Sequence, residues 1–114
     1  MQVKQLDMKL SVTSQITPAD IPAIASAGFK GIMCNRPDGE EAGQPQWKDV
    51  AAAAQAAGLE VRFIPVSGRD VSADAVHGFA SALTEIDGTV LAYCRTGTRC
   101  EILWNASRQL AGAA

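Results

Sequence analysis

The stretch TVLAYCRTGTRCEIL, residues 89–103, joins an apolar segment to a helical pattern through a short loop of Thr, Gly and Arg. Residues 90–93 form a continuous apolar run of the length typical of a buried strand. After the loop, apolar residues recur at helical spacing, at Ile102, Leu103, Ala106 and Leu110. Cys94 is therefore predicted to lie where a buried strand ends and a helix begins.

This position gives the Cys94 thiol a physical reason to be reactive. The backbone N–H groups of residues 96–98 can point into one concavity, and the following helix adds the positive end of its dipole. A neighbouring guanidinium favours an anion further, and such surroundings lower the pKa of a free thiol from ~8.5 to about 7 or below. We therefore expect a catalytic, solvent-reachable Cys94 thiolate with Arg99 as an oxyanion clamp. The predicted anion cradle comprises Arg95, Thr96, Gly97, Thr98 and Cys100.

The loop YCRTGTR, residues 93–99, resembles the active-site loop of rhodanese-type sulfurtransferases and of short-looped relatives of cysteine-dependent phosphatases. The wider chain carries SVTSQITPADIPAIASAGFKGIMCNRPDGE at residues 11–40 and a Trp-bearing helix after the loop. In these features it is similar to the phosphatase-like domain family named after beta-lactamase hydrolase-like proteins. The resemblance covers nearly all of the chain. It implies a fold like that of dual-specificity phosphatases and an active-site loop of sulfurtransferase length.

Loop length favours one of these two chemistries. Four residues separate Cys94 from Arg99, as in rhodaneses, whereas the resembling phosphatases have five, and Tyr93 stands where those phosphatases usually carry His. We therefore predict a cysteine-dependent sulfurtransferase that carries a persulfide on Cys94 and takes thiosulfate or a persulfide as donor. The alternative is a protein tyrosine or dual-specificity-like phosphatase, in which Cys94 attacks a phosphoester and Arg99 clamps the phosphate. A third interpretation is a non-catalytic module that binds anions or senses redox state.

Two further residues bear on this choice. A phosphatase uses an acid to protonate its leaving group, and Asp70 is the best-placed candidate, ahead of Asp38; Asp70 is otherwise an exposed acid near a helix start. Sulfur transfer from a thiosulfate-like donor needs no such acid. Cys100 stands where both resembling classes usually have Ser or Thr. It is either a small buried residue or a resolving thiol for Cys94.

The rest of the chain alternates strand and helix patterns. Strands are predicted at residues 8–12, near a sheet edge, and at 29–34, 59–66 and 90–93; helices begin at Pro18 after the N-cap Thr17, at Pro45, after Ser72 and after the loop. Such alternation predicts an α/β fold, with three layers around a mainly parallel central sheet. Ligands bind beyond the carboxyl ends of such strands. There the loop after the second strand either lines the pocket mouth or is a solvated connection, with the polar residues Asn35, Arg36, Asp38, Glu40 and Glu41.

Bulk properties exclude several classes of function. A chain of 114 residues predicts a single domain over residues 1–114. The net charge of −2 leaves no basic surface for nucleic acid, and no stretch approaches the ~18 apolar residues of a membrane helix. The start of the chain does not read as a signal peptide, and three cysteines without framework spacing fit the cytoplasm. No motif predicts a metal, a nucleotide or another cofactor, and the oligomeric state stays open.

Overall fold

The computed structural model describes residues 1–113 as an α/β fold built from five strands, one 3-10 turn and four α-helices. The strands are β1 (Lys4–Gln5), β2 (Leu10–Thr13), β3 (Gly31–Cys34), β4 (Glu60–Phe63) and β5 (Val90–Tyr93). The 3-10 turn (Pro18–Asp20) precedes the helices α1 (Ile21–Ser26), α2 (Trp47–Ala56), α3 (Ala73–Glu85) and α4 (Thr98–Ala113).

One sheet contains all five strands, in the order β1-β2-β5-β3-β4. β2, β5, β3 and β4 run parallel to one another, while β1 pairs antiparallel with β2. The prediction of a mainly parallel sheet is therefore confirmed. β5 lies in the centre, where Tyr93 is in register with both Thr13 and Cys34. The residue that follows β5 consequently emerges between the carboxyl ends of its two neighbours.

Helices cover both faces of the sheet, as predicted. Successive side chains of β5 point to opposite faces, so Val90 and Ala92 join the core beneath α3 and α4, while Leu91 and Tyr93 join the core beneath α1 and α2. All four of these side chains are at most 1% exposed. Burying one large apolar side chain contributes roughly 1.5–3 kcal/mol, and the two clusters hold β5 in place from both sides.

Several predicted boundaries were wrong, and each error has a physical cause. The first parallel strand is β2, not residues 8–12, because Met8 is 90% exposed in a turn where the Asp7 carboxylate accepts hydrogen bonds from the amides of Lys9 and Leu10. β2 lies near the edge of the sheet, as predicted, with β1 beside it as the edge strand. Both β1 residues are exposed, so the strand carries no apolar alternation that the sequence could reveal.

Two strands and one helix are shorter than predicted. β4 ends at Phe63 rather than at residue 66, and the second predicted strand begins at Gly31 rather than at residue 29. Helix α2 begins at Trp47, two residues after Pro45, because Gln46 stays extended and the Asp38 carboxylate accepts the Trp47 amide at 2.8 Å. The loop between β3 and α2 is correspondingly longer.

Other local predictions are confirmed. β5 covers residues 90–93, and Ser72 caps α3 by accepting the Ala75 amide at 3.1 Å. Thr17 is extended before the Pro18 turn, and its amide donates to the Asp20 carboxylate at 2.8 Å. In the part of the chain that the structure describes, no helix has the length and apolarity needed to cross a bilayer. A cytoplasmic location stays a prediction.

Candidate active site

The site begins where β5 passes into α4. Cys94 follows the last residue of β5, and the loop of residues 95–97 leads directly into the first turn of the helix. Gly97 has a φ of 93°, a left-handed conformation that glycine adopts without steric cost. This conformation turns the Gly97 amide inward, so that it donates to the Cys94 sulfur at 3.0 Å. One amide of the predicted cradle, that of Gly97, therefore contacts the sulfur, and the role of the loop as an anion-binding cradle stays a prediction.

These surroundings lower the pKa of Cys94 from 9.0 to about 5. The largest cause is a hydrogen bond from the Cys100 thiol; burial of the sulfur opposes it, and the amides of Cys100, Thr96 and Arg99 add to the lowering. A hydrogen bond to the charged form of a group always favours that form. Cys94 is thus a thiolate at neutral pH. Its principal hydrogen-bond donor is the Cys100 thiol, and the amides of Thr96, Arg99 and Cys100 are the further donors.

The other two cysteines stay protonated. Burial is the largest cause that raises the pKa of Cys34, and burial also raises the pKa of Cys100, with the hydrogen bond to Cys94 as the next cause. Both side chains are buried in the core. Cys100 is therefore a buried residue and a partner of Cys94 at once, and its role as a resolving thiol stays a prediction.

The Arg99 guanidinium lies between the thiolate and a carboxylate. Its two terminal nitrogens donate to the two oxygens of Glu40, both at 2.8 Å, and Nη1 also donates to the Val66 carbonyl at 2.7 Å. The Glu40 hydrogen bonds are the first cause that raises the pKa of Arg99, and the charge and hydrogen bond of Cys94 contribute to the same direction. Of the five N–H donors of an arginine, the contacts to Glu40 and Val66 leave the Nε–H and one Nη2–H, and one of these two serves the hydrogen bond to Cys94.

Sequence reasoning missed the importance of Glu40. Its carboxylate also accepts from Arg36 Nε at 2.8 Å, so it lies between two guanidinium groups, and these hydrogen bonds, that of Arg99 first, lower the pKa of Glu40 to about 2. Arg36 is only 2% exposed and binds Glu41 and Gln15 with its remaining nitrogens. Arg36 and Glu40 are close in sequence, but they lie in an irregular loop where a four-residue spacing does not predict pairing. The contact from Glu40 to Arg99, across the fold, had no signal in the sequence either.

A cleft of about 480 Å³ opens over this ion-pair network, lined by Arg36, Glu40, Glu41, Ser67, Arg95 and Arg99. Cys94 itself has no exposed surface (0%), so the expectation of a solvent-reachable sulfur was wrong for this structure. Arg99 both lines the cleft and contacts Cys94. The sulfur is therefore one side chain removed from solvent, and a substrate has to move that side chain to reach it.

The remaining predicted residues lie around this centre. Arg95 is exposed at the cleft, with its Nε 3.8 Å from Glu41. Thr96 and Thr98 are exposed, and their hydroxyl groups bond to each other at 3.0 Å. Asp70 is exposed in the loop before α3 and does not line the cleft, whereas Ser67 of the same loop does. The Asp38 carboxylate accepts a hydrogen bond from the Trp47 amide at the start of α2.

Metal ligands do not converge in the described residues. Within residues 1–113 no group of three or more His, Cys, Asp or Glu side chains is arranged to hold an ion. His77, the one histidine of the sequence, is exposed on α3. The chemistry of the cleft therefore has to be argued from the thiolate, the amides and the guanidinium groups.

A parallel sheet that presents a low-pKa cysteine, an amide cradle and an arginine at the start of a helix defines a cysteine-phosphatase-like α/β domain. Comparison with known proteins identifies the group within this class. The chain belongs to the family described as "Beta-lactamase hydrolase-like protein, phosphatase-like domain", whose model matches residues 2–111.

Three relatives illustrate the likeness. A beta-lactamase hydrolase-like protein of Agrobacterium fabrum is 38% identical over 112 residues, which are 98% of this chain and 26% of that protein. The chain thus spans about a quarter of the length of the curated relatives it matches. A candidate phosphatase from Neisseria meningitidis is 41% identical, with a TM-score of 0.84 over 91% of this chain and 74% of that one. The structure of Tk-PTP, 12% identical with a TM-score of 0.68 over 96% of each chain, shares the fold.

Proposed function

We propose that this chain is a cysteine-dependent phosphatase that removes a phosphoryl group from a small anionic substrate. The family and the 41% identity to a candidate phosphatase support this function over the sulfurtransferase that loop length favours. The observation that carries the proposal is the Cys94 sulfur itself, which is charged at neutral pH and lies against the Arg99 guanidinium. A thiolate in contact with a guanidinium supports nucleophilic attack on a phosphoryl group, because the arginine can bind the oxygens of that group.

The reaction has two steps. The Cys94 thiolate attacks phosphorus and forms a phosphocysteine while the leaving group departs, and water then hydrolyses the phosphocysteine to release phosphate and restore the thiolate. In this mechanism the Arg99 donors that Glu40 and Val66 do not hold bind phosphoryl oxygens, and the Gly97 amide, which donates to the Cys94 sulfur, is a further donor at the site of attack. The Gly97 amide is held by the loop before substrate binds, so it stabilises charge at little reorganisation cost, whereas the Arg99 side chain has to move to admit the substrate.

Sulfur transfer is the second candidate, and one observation favours it. The four-residue spacing from Cys94 to Arg99 is short, and the cleft carries no carboxyl group that is free to donate a proton (Glu40 and Glu41 are both bound to arginines). Transfer of sulfur from a thiosulfate-like donor requires no proton donor. In this reaction Cys94 would carry a persulfide, and the same donors would bind the anionic end of the sulfur donor.

A paired assay tests the proposal. Release of p-nitrophenol from p-nitrophenyl phosphate and transfer of sulfur from thiosulfate to cyanide are measured with the wild type and with Cys94→Ser, both under reducing conditions. We expect phosphate release that Cys94→Ser abolishes. Rapid acid quenching during turnover is expected to trap the phosphate on Cys94, where mass spectrometry locates it.

Two results would contradict the proposal. Thiocyanate formation that depends on Cys94, without phosphate release, would establish the sulfurtransferase instead. Phosphate release that persists in Cys94→Ser would show that another group, or a contaminant, is responsible. Asp70→Asn extends the test, because a loss of phosphate release in this variant would identify Asp70 as a general acid, which sulfur transfer does not need.

A further inference from the structure

The carboxyl groups of the cleft are all engaged as hydrogen-bond acceptors. Glu40 accepts from both Arg36 and Arg99, and Glu41 accepts from Arg36 at 2.8 Å and lies 3.8 Å from Arg95. The hydrogen bonds from these arginines lower the pKa of both carboxyl groups. Neither group therefore holds a proton at neutral pH that it could transfer to a departing oxygen.

The remaining acidic candidates lie outside the cleft. The Asp38 carboxylate is bound to the Trp47 amide at 2.8 Å, at the start of α2. Asp70 is exposed in its loop, and the part of that loop that lines the cleft is Ser67. Among the described residues, no acidic side chain other than Glu40 and Glu41 lines the cleft. The positively charged groups outnumber the negative ones there, because Arg95 and Arg99 line it together with Arg36.

We propose that the substrates of this site are phosphoanhydrides, in which the group that leaves is itself a phosphate, rather than the phosphate esters of alcohols. The inference rests on the proposed phosphatase function and deepens it. An alkoxide leaves slowly unless an acid protonates it, and general acid catalysis of this kind contributes about 10²- to 10⁴-fold. A phosphate is stable as an anion when it leaves, so this cleft, with guanidinium groups and no proton donor, is suited to it.

The chemical step balances without a proton donor. The Cys94 thiolate forms a bond to the terminal phosphorus, the bond from that phosphorus to the bridging oxygen breaks, and the bridging oxygen keeps the electron pair on the phosphate that leaves. Water then attacks the phosphocysteine, its oxygen bonds to phosphorus, and the sulfur leaves with the S–P electron pair. The two protons of that water remain with the released phosphate or pass to solvent.

Arg95 is the residue that distinguishes such substrates. It directly follows the nucleophile and lies at the cleft, and among the described residues its ion pair is the loose contact of 3.8 Å to Glu41. Its guanidinium is therefore available to a second phosphate that extends out of the cradle, where it stabilises the charge that develops on the leaving group. A phosphate ester of an uncharged alcohol has no group for Arg95 to bind.

The test compares substrates that differ in leaving group. Phosphate release is measured from inorganic pyrophosphate, p-nitrophenyl phosphate, phenyl phosphate and glycerol 3-phosphate, with a chelator present so that contaminating metal-dependent pyrophosphatases are inactive. The variants are Cys94→Ser, Asp70→Asn, Arg95→Met and, as the matched control, Arg69→Met, since Arg69 is exposed but does not line the cleft.

We expect kcat/KM for pyrophosphate to exceed that for glycerol 3-phosphate by at least about 10²-fold. General acid catalysis contributes at least this factor, and only the alcohol leaving group of glycerol 3-phosphate needs it. Along the two aryl phosphates the rate is expected to fall steeply as the leaving-group pKa rises. Arg95→Met is expected to lower kcat/KM for pyrophosphate about tenfold while changing that for p-nitrophenyl phosphate little, and Arg69→Met and Asp70→Asn are expected to leave both unchanged.

Failure of this inference differs from failure of the proposed function. If glycerol 3-phosphate and phenyl phosphate react as fast as pyrophosphate, and Asp70→Asn slows only those esters, the substrate class is wrong and the phosphatase function stands. If Arg95→Met and Arg69→Met act alike on pyrophosphate, Arg95 does not bind the leaving group and the inference is overturned. If none of the four compounds is cleaved in a Cys94-dependent way, the phosphatase function itself fails.

Discussion

A thiol that donates to a thiolate is the unusual feature of this site at the scale of single residues. Cys100 gives the largest contribution to the lowered pKa of Cys94, while its own pKa is raised by burial and by that same hydrogen bond. Cys100 keeps its proton because burial raises the pKa of its thiol, while the hydrogen bonds at Cys94 lower the pKa of the nucleophile. Replacing Cys100 changes the charge of Cys94 without touching the nucleophile.

We predict that Cys100→Ala raises the pKa of Cys94, whereas Cys100→Ser, which keeps a donor, leaves it near 5. A hydrogen bond to a charged group is worth about 1.5–3 kcal/mol, which corresponds to a rise of about 1 to 2 pH units. The measurement is a pH titration of thiolate absorbance in the ultraviolet. Cys94→Ser supplies the blank, because burial keeps Cys34 and Cys100 protonated through this range.

The pH range follows from the sign of the shift. Because the pKa of Cys94 is lowered to about 5, the thiolate keeps its charge as the pH falls to that value. Thiolate absorbance and kcat/KM should therefore fall together below about pH 5. In Cys100→Ala both midpoints should move to higher pH by the same amount. An unchanged midpoint in Cys100→Ala would show that the loop amides alone set the pKa of Cys94.

Glu40 is a positioning residue, because it contacts Arg99 and does not contact the nucleophile. Glu40→Gln replaces one acceptor oxygen by an NH₂ group that faces a guanidinium, so we predict that Arg99 loses its alignment beside Cys94. Misplacement of a binding group by about 1 Å can cost up to 10²-fold, and we expect kcat/KM to fall at least tenfold. Glu41→Gln is the matched control, since Glu41 binds Arg36 and leaves Arg99 untouched.

Stability gives a second readout for the Glu40 substitution. The pKa of Glu40 is lowered from 4.5 to about 2, so its stabilising contribution is complete above about pH 4.5 and is lost as the pH falls toward 2. Glu40→Gln should therefore lower the free energy of unfolding at pH 7 by about 2 kcal/mol. The difference from the wild type should shrink in acid. A constant difference from pH 7 to pH 3 would contradict the assignment of charge to this contact.

At the scale of elements, the sequence predicted best where local rules decide the structure. Three confirmed predictions depend on neighbouring residues only. They are the strand at residues 90–93, the helix cap at Ser72 and the helical turn that starts at Pro18 after Thr17. β1 was missed because its two exposed residues carry no pattern, and its pairing with β2 is decided by the fold. The same limit applies to the site, since Glu40 and Arg99 are 59 positions apart.

The loop between β5 and α4 depends on one glycine conformation. Gly97 has a φ of 93°, and a Cβ atom there would lie 3.5 Å from the Thr13 carbonyl oxygen, so the side chain has space and the strain is in the backbone. We predict that Gly97→Ala lowers the free energy of unfolding by about 1–2 kcal/mol. It should also raise the pKa of Cys94, because the Gly97 amide turns away from the sulfur.

The matched control for this loop is Gly68→Ala. Gly68 also lies in a loop near the cleft, but a Cβ atom there meets nothing within 4 Å and its φ is not in the left-handed range. We expect Gly68→Ala to change the stability by less than about 0.5 kcal/mol. Urea denaturation and the thiolate titration measure both variants. Equal behaviour of the two alanine variants would show that the left-handed conformation is not required.

At the scale of the whole molecule, the two hydrophobic cores lie on opposite faces of one sheet with short strands. Each strand is four residues long or shorter, so neither helical layer can keep its core closed if the sheet opens. Trp104 packs against the core beneath α3 and α4, and Trp47 packs against the other core, where it stacks on Phe63 with ring centroids 5.4 Å apart. The chain thus carries one fluorescent reporter in each layer.

We predict that the two layers unfold together, as expected for a single domain of this size. Trp47→Phe leaves Trp104 as the only reporter, and Trp104→Phe leaves Trp47. Within each variant, the urea midpoint from tryptophan fluorescence should coincide with that from far-ultraviolet circular dichroism, although the two variants differ from each other in stability. If fluorescence precedes the loss of helix in one variant, its layer opens separately. Coincident midpoints in both variants would confirm that the core that contains Cys94 and the core on the other face of β5 unfold as one unit.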